Sequence, residues 1–259
     1  MQFLPTASEL AQFLADETSF PLEESQELTK VAQYYCSIIG RMPLDERLKE
    51  IFTFAQAPSP IHEYLCTIVA ETPLLIVTTN YDDIIERAFT AHGRPYDIVI
   101  HATTGNEIIW KPYKKPALSL LAKDLDIDLG STTIVYKIHG AVAREEQGNG
   151  QYVITEDDYV DFLSRLANSS AIPRIFAEPF QTRPFLFLGY GLHDWNLRVV
   201  LNRIDKELRR PGDIQSWAIE TRSKPLEKKL WEKRNVVVFD ELTIDRFVEE
   251  LANDKRGGK

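Results

Sequence analysis

One stretch, residues 74–89, constrains the fold more than any other part of the chain. It begins with four apolar residues, Leu74–Val77, behind Pro73, and this pattern predicts a β-strand that is buried on both faces. A group of polar residues follows: Thr78, Thr79, Asn80, Asp82 and Asp83. Apolar residues then recur at helical spacing. In parallel α/β sheets, ligands bind where strands end in this way. The alternative is an Asn or Asp that only caps an ordinary helix.

A second predicted strand, Thr132–Ile138, leads directly into His139 and Gly140. Its β-branched and aromatic residues favour a strand. A histidine at a strand end, followed by a glycine at which the backbone can turn freely, is well placed to face a ligand. The alternative is a structural histidine held by hydrogen bonds.

A third predicted strand, Pro184–Leu188, ends in Gly189-Tyr190-Gly191 before a helical pattern. Two glycines between a strand and a helix let backbone N–H groups approach a phosphate or ribose. The third glycine of the dinucleotide-binding fingerprint is missing from this turn.

The remaining segments complete an α/β pattern. Residues 7–70 predict four helices, at about 9–14, 23–39, 45–55 and 61–70, and residues 216–219 and 236–239 predict two further strands, each followed by a helix. Alternation of strands and helices indicates a parallel sheet with helices on both faces. Residues 101–131 contain prolines and lysines without a clear period, and we expect an irregular insertion over the site.

Composition limits the classes of function. A formal net charge of -9 argues against a surface that holds nucleic-acid backbone by bulk electrostatics. The apolar runs are too short to span a bilayer and the first residues lack a basic signal-peptide start, so we expect a cytoplasmic protein. Two cysteines, Cys36 and Cys66, cannot form a four-cysteine zinc site, and we expect both to be buried core thiols.

Taken in order, the strand ends Thr78–Asp82, Lys137–Gly140 and Phe187–Asn196 resemble those of the sirtuin superfamily. The likeness is greatest to the sirtuin-like domain of bacterial antiphage-defence NAD⁺ hydrolases, and it covers about residues 5–252. It implies a Rossmann-like α/β fold and a single sirtuin-like domain over residues 1–259. The helical subdomain would occupy about residues 7–70 and the Rossmann-like core about residues 71–252.

The resemblance also assigns roles at the nicotinamide end of NAD⁺. His139 would be the general base, and Asn80 would hold the nicotinamide ribose and the attacking water. Thr79 and Asp82 would contact the same end of the cofactor. These residue types suit the chemistry, because an amide positions hydroxyl groups without adding a competing charge and histidine can exchange a proton near neutral pH.

On the adenosine side, the resemblance implies contacts from Gly189, Gly191 and Asp194. The family's first strand and its Gly-Ala-Gly-x-Ser loop, which holds the pyrophosphate, have no counterpart in the sequence, and Leu4–Ala7 resembles the residues that follow this loop. Two expectations stay open: a start truncated upstream of Met1, or a form of the family without the phosphate cradle.

The function implied is NAD⁺ glycohydrolysis by a defence effector that depletes NAD⁺, with NAD⁺ as the substrate and no zinc. The four-cysteine zinc subdomain of deacetylating sirtuins cannot form here, which favours water as the acceptor. We expect a homo-oligomer, a partner ATPase or nucleic-acid-sensing protein, or both, and neither membrane nor direct nucleic-acid binding. The alternatives are a non-enzymatic module that binds NAD⁺ or ADP-ribose or scaffolds a defence complex, and an ADP-ribosyltransferase.

Overall fold

The structure is a computed structural model that describes residues 4–21, 23–24, 26–54, 56–101, 107–142, 151–167, 172–190, 214–221 and 223–257. The chain divides into two compact units. The first comprises Met1–Pro58 and Ile68–Ala171, and the second comprises Ser59–Thr67 and Ile172–Lys259.

Three helices open the first unit: α1 (Ala7–Thr18), α2 (Leu28–Ile38) and α3 (Arg41–Phe52). Helix α1 begins two residues before the predicted range, where Thr6 and Glu9 form a reciprocal capping box. Helix α3 begins before Pro43, earlier than predicted, because the first turn of a helix needs no backbone donor from a proline. The helices share an apolar core whose most deeply buried members include Leu10, Leu14, Val31, Leu44 and Leu48.

The first unit also contains a five-stranded sheet. Its strands are β1 (Leu75–Thr78), β2 (Asp97–His101), β3 (Glu107–Lys111), β4 (Leu118–Leu121) and β5 (Ile134–Lys137), in the order β1-β5-β2-β3-β4. β5 pairs in parallel with both β1 and β2, whereas β3 pairs antiparallel with β2 and with β4. Helix α5 (Ile84–Ala91) follows β1, as predicted.

The predicted irregular insertion is wrong for residues 107–121, which form the β3–β4 hairpin and extend the sheet. The prolines and lysines that obscured the strand pattern lie largely in the turn between β3 and β4, where Lys114 adopts a positive φ of 56°. The hairpin is tied back to β2 because the Trp110 indole N–H donates to the carboxylate of Asp97 at 2.9 Å.

The two neighbouring strands β1 and β5 differ in how deeply they are buried. All four residues of β5 are buried, which fits a strand covered on both faces. In β1 only Thr78 is buried, and the three apolar residues before it stay partly exposed. The prediction of full burial is therefore wrong for β1, because within the described residues it is an edge strand.

Two short strands, β6 (Gly140–Ala141) and β7 (Gln151–Tyr152), pair antiparallel and lead into α6 (Glu156–Ala167). Helix α6 has a reciprocal cap: Thr155 N–H donates to Asp158 Oδ2 at 2.9 Å, and Asp158 N–H donates to Thr155 Oγ1 at 3.1 Å. The Asp158 carboxylate also accepts a hydrogen bond from Arg41 Nη1 at 2.7 Å. Asp158 thus has a structural role.

The second unit contains α4 (Pro60–Ile68, all but its last residue), α7 (Ala177–Thr182), α8 (Pro225–Glu232) and α9 (Ile244–Gly257). Its strands β8 (Leu186–Leu188), β9 (Ser216–Ile219) and β10 (Val236–Phe239) form a parallel sheet in the order β10-β9-β8. The predicted strands are confirmed, although Leu186 is 47% exposed. The helix predicted after Asn196 lies outside the described residues.

These elements confirm the predicted class, a Rossmann-like α/β fold with a mainly parallel arrangement of strands and a helical N-terminal region. Short 3₁₀ helices at Ala122–Asp124 and Arg174–Phe176 complete the described elements. Among the helices that the structure describes, none has both the length and the apolar character needed to cross a membrane.

Candidate functional site

The strand ends that carry Asn80 and His139 lie side by side in the first unit. Thr78, the last residue of β1, is paired with Lys137, the last residue of β5. The pairing continues beyond the strands, because the N–H of Ile138 donates to the Thr78 carbonyl at 3.0 Å. Both strands run in the same direction, so the residues after them emerge at one edge of the sheet, where ligands bind in α/β proteins.

The turn after β1 exposes Asn80 and encloses its neighbours. Asn80 is exposed, and its N–H donates to the hydroxyl of Thr78 at 3.0 Å. Thr79 is half-buried. Asp82 is 9% exposed, and its carboxylate accepts the N–H of Ile84 at 3.0 Å at the start of α5. The capping alternative does not describe Asn80. The N-cap position of α5 is Asp83, which makes no side-chain cap hydrogen bond, and the Asp82 carboxylate accepts the N–H of the first helical residue.

Tyr81 joins this turn to the segment around His139. Its carbonyl accepts the N–H of Val142 at 2.9 Å, and its hydroxyl donates to the carbonyl of Val153 at 2.7 Å. The N–H of Val153 in turn donates to the carbonyl of His139 at 3.0 Å. The two strand ends are thus connected by a chain of hydrogen bonds through one tyrosine.

The same tyrosine anchors the turn in the helical core. Tyr81 is 8% exposed, and its ring meets the rings of Phe52 and Tyr152 edge-on, with centroids 5.2 Å apart in each case. The sequence motif left Tyr81 without a role. No local pattern identifies one, because its hydroxyl partner lies 72 residues away.

His139 is enclosed by aromatic rings. It is 3% exposed, and its ring lies edge-on to Tyr159 and Phe162, at centroid distances of 5.5 and 5.4 Å. The next residue, Gly140, has a φ of +88°, a conformation that favours glycine. Such packing fixes the imidazole before any ligand arrives.

A second histidine, His101, contacts the same aromatic cluster from the neighbouring parallel strand. It closes β2, is 2% exposed and lies edge-on to Phe162 at 5.2 Å. It is not among the site residues predicted from the sequence. The sequence does contain a signal, because His101 directly follows the apolar residues Ile98–Ile100 in the same way that His139 follows an apolar strand.

Of the residues predicted for the adenosine side, the structure describes Gly189 in the second unit. Its N–H donates to the carbonyl of Ile219 at 3.0 Å, and its φ is +69°. A Cβ at this position would lie 3.5 Å from Ile244 Cδ1, which is an ordinary contact, so the backbone and not the space requires glycine. Gly191 and Asp194 lie outside the described residues.

The two cysteines differ in burial. Cys66 is 1% exposed, as predicted for a core thiol, whereas Cys36 is only half-buried and packs against the helical core. Desolvation raises the pKa of the Cys36 thiol, which disfavours the reactive thiolate. In the part of the chain that the structure describes, no group of three or more His, Cys, Asp or Glu side chains could hold a metal ion.

Residues 74–239 match the model of the SIR2-like domain family. The chain belongs to this family. The matched range begins at the strand before Asn80 and includes both His139 and Gly189. The predicted sirtuin-like family is confirmed by this match.

Curated relatives of this SIR2-like chain carry related names. It is 24% identical over 223 residues to Defense-associated sirtuin 2 of Bacillus subtilis. The aligned residues cover 85% of this chain and 19% of the relative. It is 30% identical over 197 residues to NAD(+) hydrolase ThsA of Acinetobacter baumannii (strain 532279), covering 76% and 35%, respectively. With NAD(+) hydrolase ThsA of Cytobacillus dafuensis it shares 27% identity over 190 residues, covering 73% and 33%. The chain therefore spans about a fifth to about a third of these relatives.

Proposed function

We propose that this chain is an NAD⁺ glycohydrolase that cleaves NAD⁺ to nicotinamide and ADP-ribose. The observation that carries the proposal is the adjacency of the two strand ends that bear Asn80 and His139 in a SIR2-like chain. The names of the ThsA relatives support NAD⁺ as the substrate.

The reaction needs few groups. The bond between nicotinamide and ribose C1′ breaks with its electron pair leaving on the nicotinamide, and positive charge develops on the ribose. Water adds to C1′ and loses a proton, so that NAD⁺ and water give nicotinamide, ADP-ribose and one proton. His139 would accept this proton and Asn80 would orient the ribose and the water.

The surroundings of the two residues suit these roles. Asn80 is exposed, so that its amide can meet a ligand from solvent. His139 is packed between aromatic side chains, so that its ring needs no reorganisation during the reaction. Thr79 and Asp82 would border the nicotinamide end.

The remaining cofactor contacts are also part of the proposal. Gly189, Gly191 and Asp194 would border the adenosine side. The positive φ of Gly189 supports this role, because a glycine turn after a parallel strand allows close approach of a ligand to the backbone.

The biological setting we propose is depletion of NAD⁺ in defence, in the cytoplasm where the substrate is available. The name of the Bacillus subtilis relative supports the defence role. An enzyme that consumes NAD⁺ has to be held inactive until it is needed, so we propose control by self-association or by a partner ATPase or nucleic-acid sensor. We further propose that residues 1–259 act as one sirtuin-like domain.

The test is incubation of the activated protein with NAD⁺ followed by chromatographic measurement of nicotinamide and ADP-ribose. We expect both products in equal amounts, and no turnover in an Asn80→Ala, His139→Ala double variant. Full activity of that double variant would contradict the assignment. Labelled ADP-ribose recovered on protein or nucleic acid would instead identify a transferase, and calorimetric binding of ADP-ribose without turnover would identify a binding module.

A further inference from the structure

A lysine is buried beneath the Asn80 turn. Lys137, the last residue of β5, is 2% exposed. Its ammonium donates to the backbone carbonyl of Asp82 and lies 3.0 Å from Glu86 Oε1. Burial of an ammonium group is costly unless its partners replace the lost water, so the contacts of Lys137 must compensate for its position.

The carbonyl that Lys137 holds closes the Asn80–Asp82 turn. At the next residue, the carbonyl of Asp83 accepts the N–H of Arg87 at 2.9 Å, in ordinary helical fashion. The carbonyl of Asp82, just outside the helix, meets the ammonium of Lys137. The lysine therefore fixes the point at which the turn becomes α5.

The partner carboxylate, Glu86, lies on the first turns of α5 and is 8% exposed. Desolvation raises the pKa of Glu86, and the nearby Lys137 opposes this shift. The backbone carbonyl of Glu86 is itself held by the hydroxyl of Tyr96 at 3.2 Å. The Lys137–Glu86 pair thus joins β5 to a helix that is fixed by other contacts.

A buried ion pair alone does not explain the arrangement. Replacement of such pairs by apolar residues of similar volume is often neutral or stabilising, so the pair is weak evidence for a role in stability. The hydrogen bond to Asp82 is different, because no apolar residue can supply it. What Lys137 adds beyond packing is control over the turn that carries Asn80.

We propose that Lys137 is a positioning residue that, through the Asp82 carbonyl, holds the Asn80 turn against the strand end that bears His139. Lys137 stands two residues before His139 and is paired across the sheet with Thr78, two residues before Asn80. It is therefore placed to set the distance between the two groups. Its catalytic consequence rests on the proposed function, whereas its effect on the turn does not.

The decisive variant is Lys137→Met, Glu86→Leu, which removes both buried charges together and keeps the side-chain volumes similar. Loss of the ion pair itself should be nearly neutral, but the Asp82 carbonyl loses its donor, so we expect a modest fall in the melting temperature. We expect kcat for NAD⁺ hydrolysis to fall at least about tenfold, because a misplaced turn disrupts the reacting geometry. The matched control, Glu86→Gln, retains Lys137 and its bond to Asp82. It should lower the melting temperature, because a buried ammonium loses its counter-charge, but it should keep kcat within about threefold. Wild-type kcat in the double variant would overturn the proposal.

Hydrogen exchange provides a readout that needs no catalysis. Peptides that cover residues 79–84 should exchange at least about tenfold faster in Lys137→Met, Glu86→Leu than in the wild type, because opening of the turn loses its anchor. Glu86→Gln should leave this exchange unchanged, and peptides within Ile134–Tyr136 should stay protected in every variant. Unchanged exchange at residues 79–84 in the double variant would overturn the proposal. If the wild type releases no nicotinamide, the proposed function fails while the exchange result still decides the role of Lys137.

Discussion

The two halves of the candidate site are built in opposite ways, although they lie at neighbouring strand ends. Asn80 follows the edge strand β1 and is exposed on a turn. His139 follows β5, a strand with neighbours on both sides, and is 3% exposed among aromatic rings. One half is a surface turn tied down by hydrogen bonds, and the other is an extension of the core.

Because of this difference, substitution of His139 should cost more stability than substitution of Asn80. Removing a side chain from the core loses packing and leaves a cavity, whereas trimming an exposed side chain costs little stability. Chemistry and stability are therefore coupled at His139 and independent at Asn80. Asn80 can therefore be altered at little cost to stability, while Tyr81 and Lys137 hold the turn in place.

The largest expected effects come from single alanine variants of the two residues. We expect Asn80→Ala and His139→Ala each to lower kcat/KM for NAD⁺ at least about 100-fold. His139→Ala should also lower the free energy of unfolding by about 2–4 kcal/mol, whereas Asn80→Ala should change it by less than about 0.5 kcal/mol. Denaturant unfolding and steady-state kinetics measure the two effects.

The half-buried His62, in the second unit, is the control: His62→Ala should retain activity. Equal destabilisation by Asn80→Ala and His139→Ala would remove the contrast between the two halves.

Local sequence pattern was sufficient for the strand–turn–helix unit at residues 74–89 and for the strand before His139. In each case the pattern lies within a short segment of sequence. At residues 74–89, apolar strand residues, a group of polar residues and apolar residues at helical spacing follow one another, and the strand and helix form there. The β-branched and aromatic residues before His139 likewise form a strand. The resemblance to the family then predicted Asn80 and His139 as site residues, and the structure places both at one edge of the sheet.

Features that depend on distant residues could not be predicted in this way. The β3–β4 hairpin was missed because its turn contains Pro112 and Pro116, and because pairing with β2 is a tertiary contact. Lys137 lies near the end of the predicted strand Thr132–Ile138, where a charged side chain is ordinarily solvated, and its burial depends on an acceptor 55 residues away. Full burial of β1 was wrong because position within a sheet is not encoded in the composition of a strand.

A smaller effect is expected when the link between the two halves is weakened. Tyr81→Phe keeps the ring in the core but removes the hydroxyl that donates to Val153. A buried carbonyl then loses its partner, so the free energy of unfolding should fall by about 1–2 kcal/mol. Because Val153 N–H donates to the carbonyl of His139, kcat should also fall by about three- to tenfold. Denaturant unfolding and steady-state kinetics test both expectations.

The control for this variant is Tyr34→Phe, a half-buried tyrosine of the helical core whose ring packs against Phe20. It should change stability by less than about 0.5 kcal/mol and leave kcat unchanged. Wild-type kcat in Tyr81→Phe, together with the expected loss of stability, would show that the two strand ends hold their positions without the tyrosine link.

The smallest effect concerns the glycine after β8, and it extends the comparison to the second unit. Gly189 and Gly93 have similar positive φ values of 69° and 62°, and a Cβ would be tolerated sterically at either position. Alanine at each should therefore cost about 1 kcal/mol of stability through the backbone alone. Only Gly189 is predicted to border the adenosine side of NAD⁺, so Gly189→Ala should raise KM while Gly93→Ala leaves it unchanged. Equal KM values in the two variants, at equal stability cost, would remove Gly189 from the cofactor site and leave the strand ends at Asn80 and His139 to carry recognition of NAD⁺.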